Sequence, residues 1–151
     1  MFTTPLLLNN LKVLSRPISY LKAEISCLDG LEHQVQVSIQ VEDDVCLNLK
    51  QESPTQGSTL LLSEQIPCAK MGNVNQSILN TAGDDVRINW GYFYLAAKGE
   101  GAQVLVHSTN DQISLEASVK MNVQQQAEAL FVFAYDDLYS LQYFNDNIKG
   151  Y

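Results

Sequence analysis

The stretch SYLKAEISCLDGLEHQVQVSIQV, residues 19–41, alternates apolar and polar side chains on both sides of a turn. Its apolar positions are Leu21, Ala23, Ile25, Cys27, Val35, Val37, Ile39 and Val41. Successive residues of a strand point to opposite faces of a sheet, so each half predicts a strand with one buried and one solvated face. Asp29 and Gly30 favour a tight turn between the halves, because Gly accepts a positive φ. The stretch therefore predicts an antiparallel hairpin.

The same two-residue period recurs along most of the chain. Further strands are predicted at 45–49, at 59–67 with its end at Pro67, at 86–97, at 102–108, at 112–121 and at 129–135, the last as a central strand. Loops or turns are predicted at 52–58, 99–101 and 109–111. The segment 68–85 fits either a short extended piece or a loop. The segment 136–151 is predicted to begin a helix capped by Asp136 or Asp137. Eight or nine short strands with little helix predict an all-β protein, an antiparallel β-sandwich forming a single domain over residues 1–151.

Composition excludes several classes of partner. The chain has 151 residues and a net charge of −8, from 17 acidic and 9 basic residues. A surface this acidic repels phosphates, so we expect neither nucleic acid nor anionic membranes as partners. No segment approaches the roughly 20 apolar residues of a membrane span, and the first ten residues lack the basic region and cleavage site of a signal peptide.

Three cysteines, Cys27, Cys46 and Cys68, occur at wide spacing without a CxxC motif. This pattern favours buried free thiols, and one disulfide with one free thiol is the alternative in an oxidising compartment. No ligand pair has the spacing of a zinc site, and no loop carries the DxDxDG pattern of a calcium site. We therefore expect no metal and no cofactor.

The aromatic side chains Trp90, Tyr92 and Tyr94 recur at alternate positions and are the candidate ligand-binding or domain-interface residues. Flat rings on one strand face can bind sugars. The opposite face, with Phe93 and Leu95, is apolar as well, and such strands are typical of sheets covered on both sides. Packing is therefore the favoured interpretation, and an exposed sugar platform is the alternative.

No catalytic motif accompanies these rings. His107 lies beside Ser108 and near Asp111, but the sequence has no GxSxG, P-loop, GxGxxG or HExxH pattern. The acidic residues occur as adjacent pairs, and adjacent strand residues point to opposite faces. The chain alone is not expected to be an enzyme.

Four stretches, taken together and in order, match a known family. They are SRPxSY at 15–20, DGxxHxVQ at 29–36, GDDxRIxWGYFYLA at 83–96 and AYDDLYSLQYFNDNIKGY at 134–151. With these motifs the chain resembles the β-domain that precedes the catalytic domain in the glutaminase A family, known from fungi and Bacteroides-type gut bacteria. The segment 41–51 departs from the family, which commonly has an aromatic-rich stretch there.

The resemblance implies a piece of a larger protein. Members of that family are secreted or periplasmic multidomain proteins, in which a supersandwich-type β-domain packs on an α/α-toroid that carries the hydrolytic site. This chain would be a fragment of the sandwich, a non-catalytic accessory domain that supports the downstream catalytic domain. The parent would be a glutaminase-type amidohydrolase of the periplasm or the extracellular space. Exposed apolar surface would also favour a homodimer, and its candidates are Leu6, Leu7, Leu8, Tyr139, Leu141, Tyr143 and Phe144.

Overall fold

A computed structural model describes residues 1–49, 54–81, 83–109 and 112–150. The strands are β1 (Phe2–Thr3), β2 (Ile18–Ser26), β3 (His33–Glu42), β4 (Thr55–Leu61), β5 (Pro67–Asn73), β6 (Tyr92–Lys98), β7 (Ala102–Thr109), β8 (Gln112–Val123), β9 (Gln126–Asp136), β10 (Leu141–Tyr143) and β11 (Asp146–Ile148). Helix is confined, in these residues, to α1 (Leu11–Leu14) and the 3₁₀ turns Asp43–Cys46 and Ser63–Gln65. The all-β class with little helix is confirmed.

The strands form two antiparallel sheets that pack face to face, and a separate hairpin of β10 and β11. The large sheet has six strands in the order β1-β2-β9-β6-β5-β4, and the small sheet has three in the order β3-β8-β7. The core lies between the sheets, with Leu95 and Phe131 from the large sheet and Leu115 and Val119 from the small sheet. The antiparallel β-sandwich is confirmed, and β9 is a central strand as predicted.

Alternation places the predicted faces correctly. The predicted apolar residues from Leu21 to Cys27 and from Val35 to Val41 pack against the core, while the polar residues between them point outward. In β8, Leu115, Ala117 and Val119 are fully buried. A period of two is therefore a reliable sign of which face of each strand is buried.

The predicted hairpin between β2 and β3 is wrong. β2 pairs with β9 over its whole length, and β3 pairs with β8, so residues 27–32 cross from one sheet to the other. Cys27 contacts the β8–β9 connection. Its backbone N–H donates to the Gln125 carbonyl and its Sγ donates to the Val123 carbonyl, each at 3.0 Å. Strands in two sheets that face each other across the core bury each other's apolar faces. In a two-stranded hairpin with the same alternation, both apolar faces would lie on the same side and would not cover each other.

The segment between β3 and β5 also departs from prediction. Residues 43–46 form a 3₁₀ turn and not a strand, because the Asp43 side chain is buried and accepts hydrogen bonds from the Thr55 hydroxyl and the Ile113 N–H. The predicted loop at 52–58 includes the start of β4. The first two residues of this loop lie outside the described residues, and so do residues 110 and 111 of the predicted turn at 109–111. Pro67 begins β5 instead of ending a strand, and β5 occupies the first part of the undecided region 68–85.

The predicted C-terminal helix is wrong as well. The Asp136 carboxylate accepts the Leu138 N–H at 2.9 Å, as a helix cap would, but the chain then turns into the β10–β11 hairpin. The loop residues Phe144 and Asn145 have φ values of 46° and 69°, and two consecutive positive φ values are the geometry of a two-residue hairpin turn.

Candidate functional site

The side of the large sheet that faces away from the small sheet carries the candidate site. In β6, Phe93, Leu95 and Ala97 point into the core, so Tyr92 and Tyr94 point outward. The outward residues of neighbouring strands align with them in register. We call the following set the outer strip: Ile18, Tyr20, Leu60, Cys68, Tyr94, Ala96, Leu130, Val132 and Ala134.

The centre of the outer strip is packed tightly. Cys68 is 1% and Ala96 4% exposed, although both lie on the outward face. Their partners in register include the larger Leu60 and Val132. Tyr94, Tyr20 and Val132, which also belong to the outer strip, are half-buried. The outer strip is thus a continuous apolar surface and not a scatter of single side chains.

Cys68 and Tyr94, two ionisable groups of the outer strip, stay neutral near pH 7. Burial raises the pKa of the Cys68 thiol to about 11. Burial, and after it the nearby Asp136 carboxylate, raises the pKa of Tyr94 above its usual range. A contact made here would therefore desolvate no charge at its centre.

Charged side chains border the outer strip. At one end, Lys22 Nζ lies 2.9 Å from a Glu24 oxygen and 2.5 Å from a Glu128 oxygen. At the other end, Lys70 Nζ lies 4.8 Å from the centre of the Tyr92 ring, within cation–π range. An apolar centre with a polar rim is the usual composition of a protein-interaction surface.

Trp90 does not share this face. It precedes β6, is only 6% exposed, and donates from Nε1 to the Tyr139 carbonyl at 3.3 Å. Its own carbonyl accepts the Tyr135 hydroxyl at 2.8 Å. The next residue, Gly91, has a φ of 90°, which breaks the alternation. The three rings therefore do not form one platform, and only Tyr92 and Tyr94 lie side by side on the outward face.

Gln76 stabilises the corner of the chain at Trp90 and Gly91, and nothing in the sequence predicts this role. Its Oε1 accepts the Gly91 N–H at 2.5 Å, and its Nε2 donates to the carbonyls of Gly91 and Asn73 at 3.2 and 2.6 Å. It thereby satisfies polar backbone groups at the entry to β6. In the sequence, a lone Gln in an irregular segment cannot be distinguished from a surface residue.

The outward face of the small sheet is polar except for Leu105, and it holds the predicted His107. The His107 Nε2 lies 2.8 Å from a Glu116 oxygen, at a cavity of about 180 Å³. Ser108 points to the opposite face from His107, as adjacent strand residues do, and Asp111 lies outside the described residues. The nearer Ser114 accepts from Gln40 at 2.9 Å. The described residues do not assemble the Ser–His–Asp arrangement that the sequence raised.

We also searched the described residues for metal ligands, reactive thiols and membrane-spanning helices. No group of three or more His, Cys, Asp or Glu side chains among them is placed to hold a metal ion. Cys46 and Cys68 are buried and Cys27 is half-buried, and burial raises the pKa of Cys46 to about 11. No helix in the part of the chain that the structure describes is long and apolar enough to cross a membrane.

Comparison with known proteins gives a family. The model of a family described as a domain of unknown function, DUF5127, matches residues 1–126, and the chain belongs to that family. No curated protein matches the chain significantly. The matched region ends at the first residue of β9. The resemblance to the glutaminase A family stays a prediction.

Proposed function

Taking membership of the DUF5127 family as the premise, we propose that this chain is a non-catalytic accessory β-sandwich domain of a glutaminase A-like hydrolase. It packs against and supports a downstream α/α-toroid catalytic domain of the same parent chain. The observation that carries the proposal is the outer strip, an apolar surface on a sheet face that the second sheet leaves uncovered.

The two outward faces of the sandwich provide an internal comparison. Along β3, the small sheet presents Gln34, Gln36, Ser38 and Gln40 outward. That is the composition of a face in contact with water. The outward face of the large sheet instead carries the apolar side chains of the outer strip at the middle of its strands. A sandwich that keeps one face polar and one apolar is suited to a partner on the apolar side only.

The C-terminal hairpin adds a second apolar contact. Tyr143 and Phe144 are 61% and 83% exposed, and their ring centres are 4.5 Å apart with an edge-to-face geometry. The hairpin follows β9, the central strand of the large sheet. A domain that follows this one in the parent chain would meet the hairpin first and the outer strip next.

Mutation of the outer strip tests the docking role. We expect Tyr94→Asp to weaken binding of the isolated chain to the separately produced downstream domain at least about tenfold, because a charge would be desolvated in the interface. Gln103→Asp, on the polar face and away from β3, should leave binding unchanged. Isothermal titration calorimetry measures both, and equal affinities for wild type and Tyr94→Asp would overturn the assignment of this surface.

The hydrolytic role is assigned to the parent and not to this chain. The parent would be a glutaminase-type amidohydrolase of the periplasm or the extracellular space, as the sequence resemblance implies. Ammonia release from L-glutamine by the chain alone should not exceed the buffer blank, and His107→Ala should change nothing. Turnover that His107→Ala abolishes would contradict this assignment.

A carbohydrate-binding module is the second candidate, and one observation favours it. Tyr92, Lys70, Gln56 and Ser58 line an outward cavity of about 210 Å³, which combines a ring with polar groups. If this cavity binds sugars, oligosaccharide titrations will give a saturable signal that Tyr92→Ala removes. An accessory docking domain predicts no such signal.

A further inference from the structure

We infer that the free edge of β3 pairs antiparallel with β3 of a second copy of this chain, about a two-fold axis through Ser38. This dimer uses the small sheet, on the other side of the sandwich from the outer strip. It does not depend on the proposed function.

The sandwich is open along the β3 side. In the core, β8 packs across β6 and β9, and β7 across β5 and β6, so the strand order places β3 over the β2 side of the large sheet. β1 extends beyond this. Its residue Phe2 pairs with Leu21 on the inner face, and its ring centre lies 6.2 Å from that of Phe133, yet Phe2 is 64% exposed. One more strand beside β3 would cover this inner surface.

The opposite side of the sandwich is built differently. There β4 and β7, the other long edge strands, pack against each other across the two sheets. A cavity between them is lined by residues of both strands, among them Thr59 and Val104. β3, by contrast, makes no extensive contact with a strand of the large sheet among the described residues.

The β3 edge has none of the common protections against pairing. β3 has ten residues, all in register with β8, and in the described part of the chain its other edge is unpaired. It contains no Lys and no Pro, and its charged or titratable residues, His33 and Glu42, are at its two ends. Edge strands are normally short, bulged or marked by Lys or Pro when they must stay unpaired.

The β3 sequence is complementary to itself. With the axis at Ser38, antiparallel pairing sets Val37 opposite Ile39 and Val35 opposite Val41 of the second copy, and these four residues face the core side. On the outward side, Gln36 is set opposite Gln40. A shift by one residue would oppose apolar to polar side chains. An axis at Val37 keeps the faces but sets His33 opposite the inward Val41, so the Ser38 register is preferred.

Charge does not oppose a second copy at this edge. The net charge of −8 opposes self-association over most of the surface. In the Ser38 register the only charge of the paired strands, Glu42, is opposite a neutral Gln34. The pairing joins the two small sheets into one continuous sheet of six strands.

Charge substitutions at positions 36 and 40 test the register. The double variant Gln36→Lys/Gln40→Lys sets two lysines of one copy opposite two of the other, and two such like-charge pairs should weaken the dimer roughly tenfold or more. Gln36→Glu/Gln40→Glu should do the same. An equimolar mixture of the two variants sets opposite charges against each other, so it should form a heterodimer about as tight as the wild-type dimer.

Analytical ultracentrifugation measures the dissociation constants, and circular dichroism confirms that each variant is folded. Gln103→Lys, on the other edge strand of the small sheet, is the matched control and should dimerise as wild type does. A wild-type chain that is monomeric at 100 μM, roughly the range of weak specific dimers, would overturn the inference. So would lysine variants that dimerise as wild type does, or a mixture that fails to form the heterodimer.

Discussion

Gly91 determines where the aromatic side chains of this protein lie. Its φ of 90° turns the chain between Trp90 and Tyr92, so Trp90 enters the interior while Tyr92 starts a strand. A Cβ at this position would lie 2.3 Å from the Asp136 carbonyl oxygen. The residue pattern alone cannot distinguish this glycine from one in a regular strand, which is why alternation placed three rings on one face.

Replacement of Gly91 should therefore be costly. We expect Gly91→Ala to lower the free energy of unfolding by at least about 2 kcal/mol, because a positive φ and a backbone clash act together. The control is Gly30→Ala, where φ is 74° but nothing lies within 4 Å of the added Cβ, and about 1 kcal/mol is expected.

Urea denaturation followed by circular dichroism gives both values. A Gly91→Ala variant no less stable than Gly30→Ala would mean that the corner at Trp90 is not built as described. The same experiment reports on Trp90, whose fluorescence should shift to the red if the corner opens.

At the scale of elements, the sequence predicted faces but not partners. The inward residues of β2, β3 and β8 follow from a period of two, since that period is local. Pairing is not local. β3 pairs with β8 across most of the chain, and the apolar alternation of β2 fits β9 as well as it fits β3. The Asp29-Gly30 signal identified a turn, but it did not specify whether the chain returns in the same sheet or the other one.

β9 is the element on which the large sheet depends. It lies between β2 and β6, so a chain that ends at residue 125 would separate β1 and β2 from β4, β5 and β6. Phe131, which is fully buried, would be lost with it. We expect this truncation to abolish cooperative unfolding, although it removes almost nothing of the region matched to the family.

The control truncation ends at residue 140. It removes the β10–β11 hairpin but retains β9 and the Trp90–Tyr139 hydrogen bond. This variant should unfold cooperatively in urea as the full chain does. Cooperative unfolding of the chain that ends at residue 125 would contradict the central place of β9.

For the whole molecule, composition and period predicted an acidic antiparallel β-sandwich, and the structure has that fold. The site was predicted only in part. Tyr92 and Tyr94 could be placed on one face from their spacing, but the members of the outer strip outside β6 come from four other strands, β2, β4, β5 and β9. Which residues meet on that face depends on strand order, and strand order depends on long-range pairing that no local pattern records.

The most direct test of the docking role compares side-chain exposure in the isolated chain and in its intact parent, by hydroxyl-radical footprinting with mass spectrometry. If the outer strip is a domain interface, oxidation of Tyr20 and Tyr94 will fall at least about threefold in the parent, since interface cores exclude water. Oxidation of His107, on the polar face, will stay the same. Equal oxidation of Tyr20 and Tyr94 in both proteins would contradict the account.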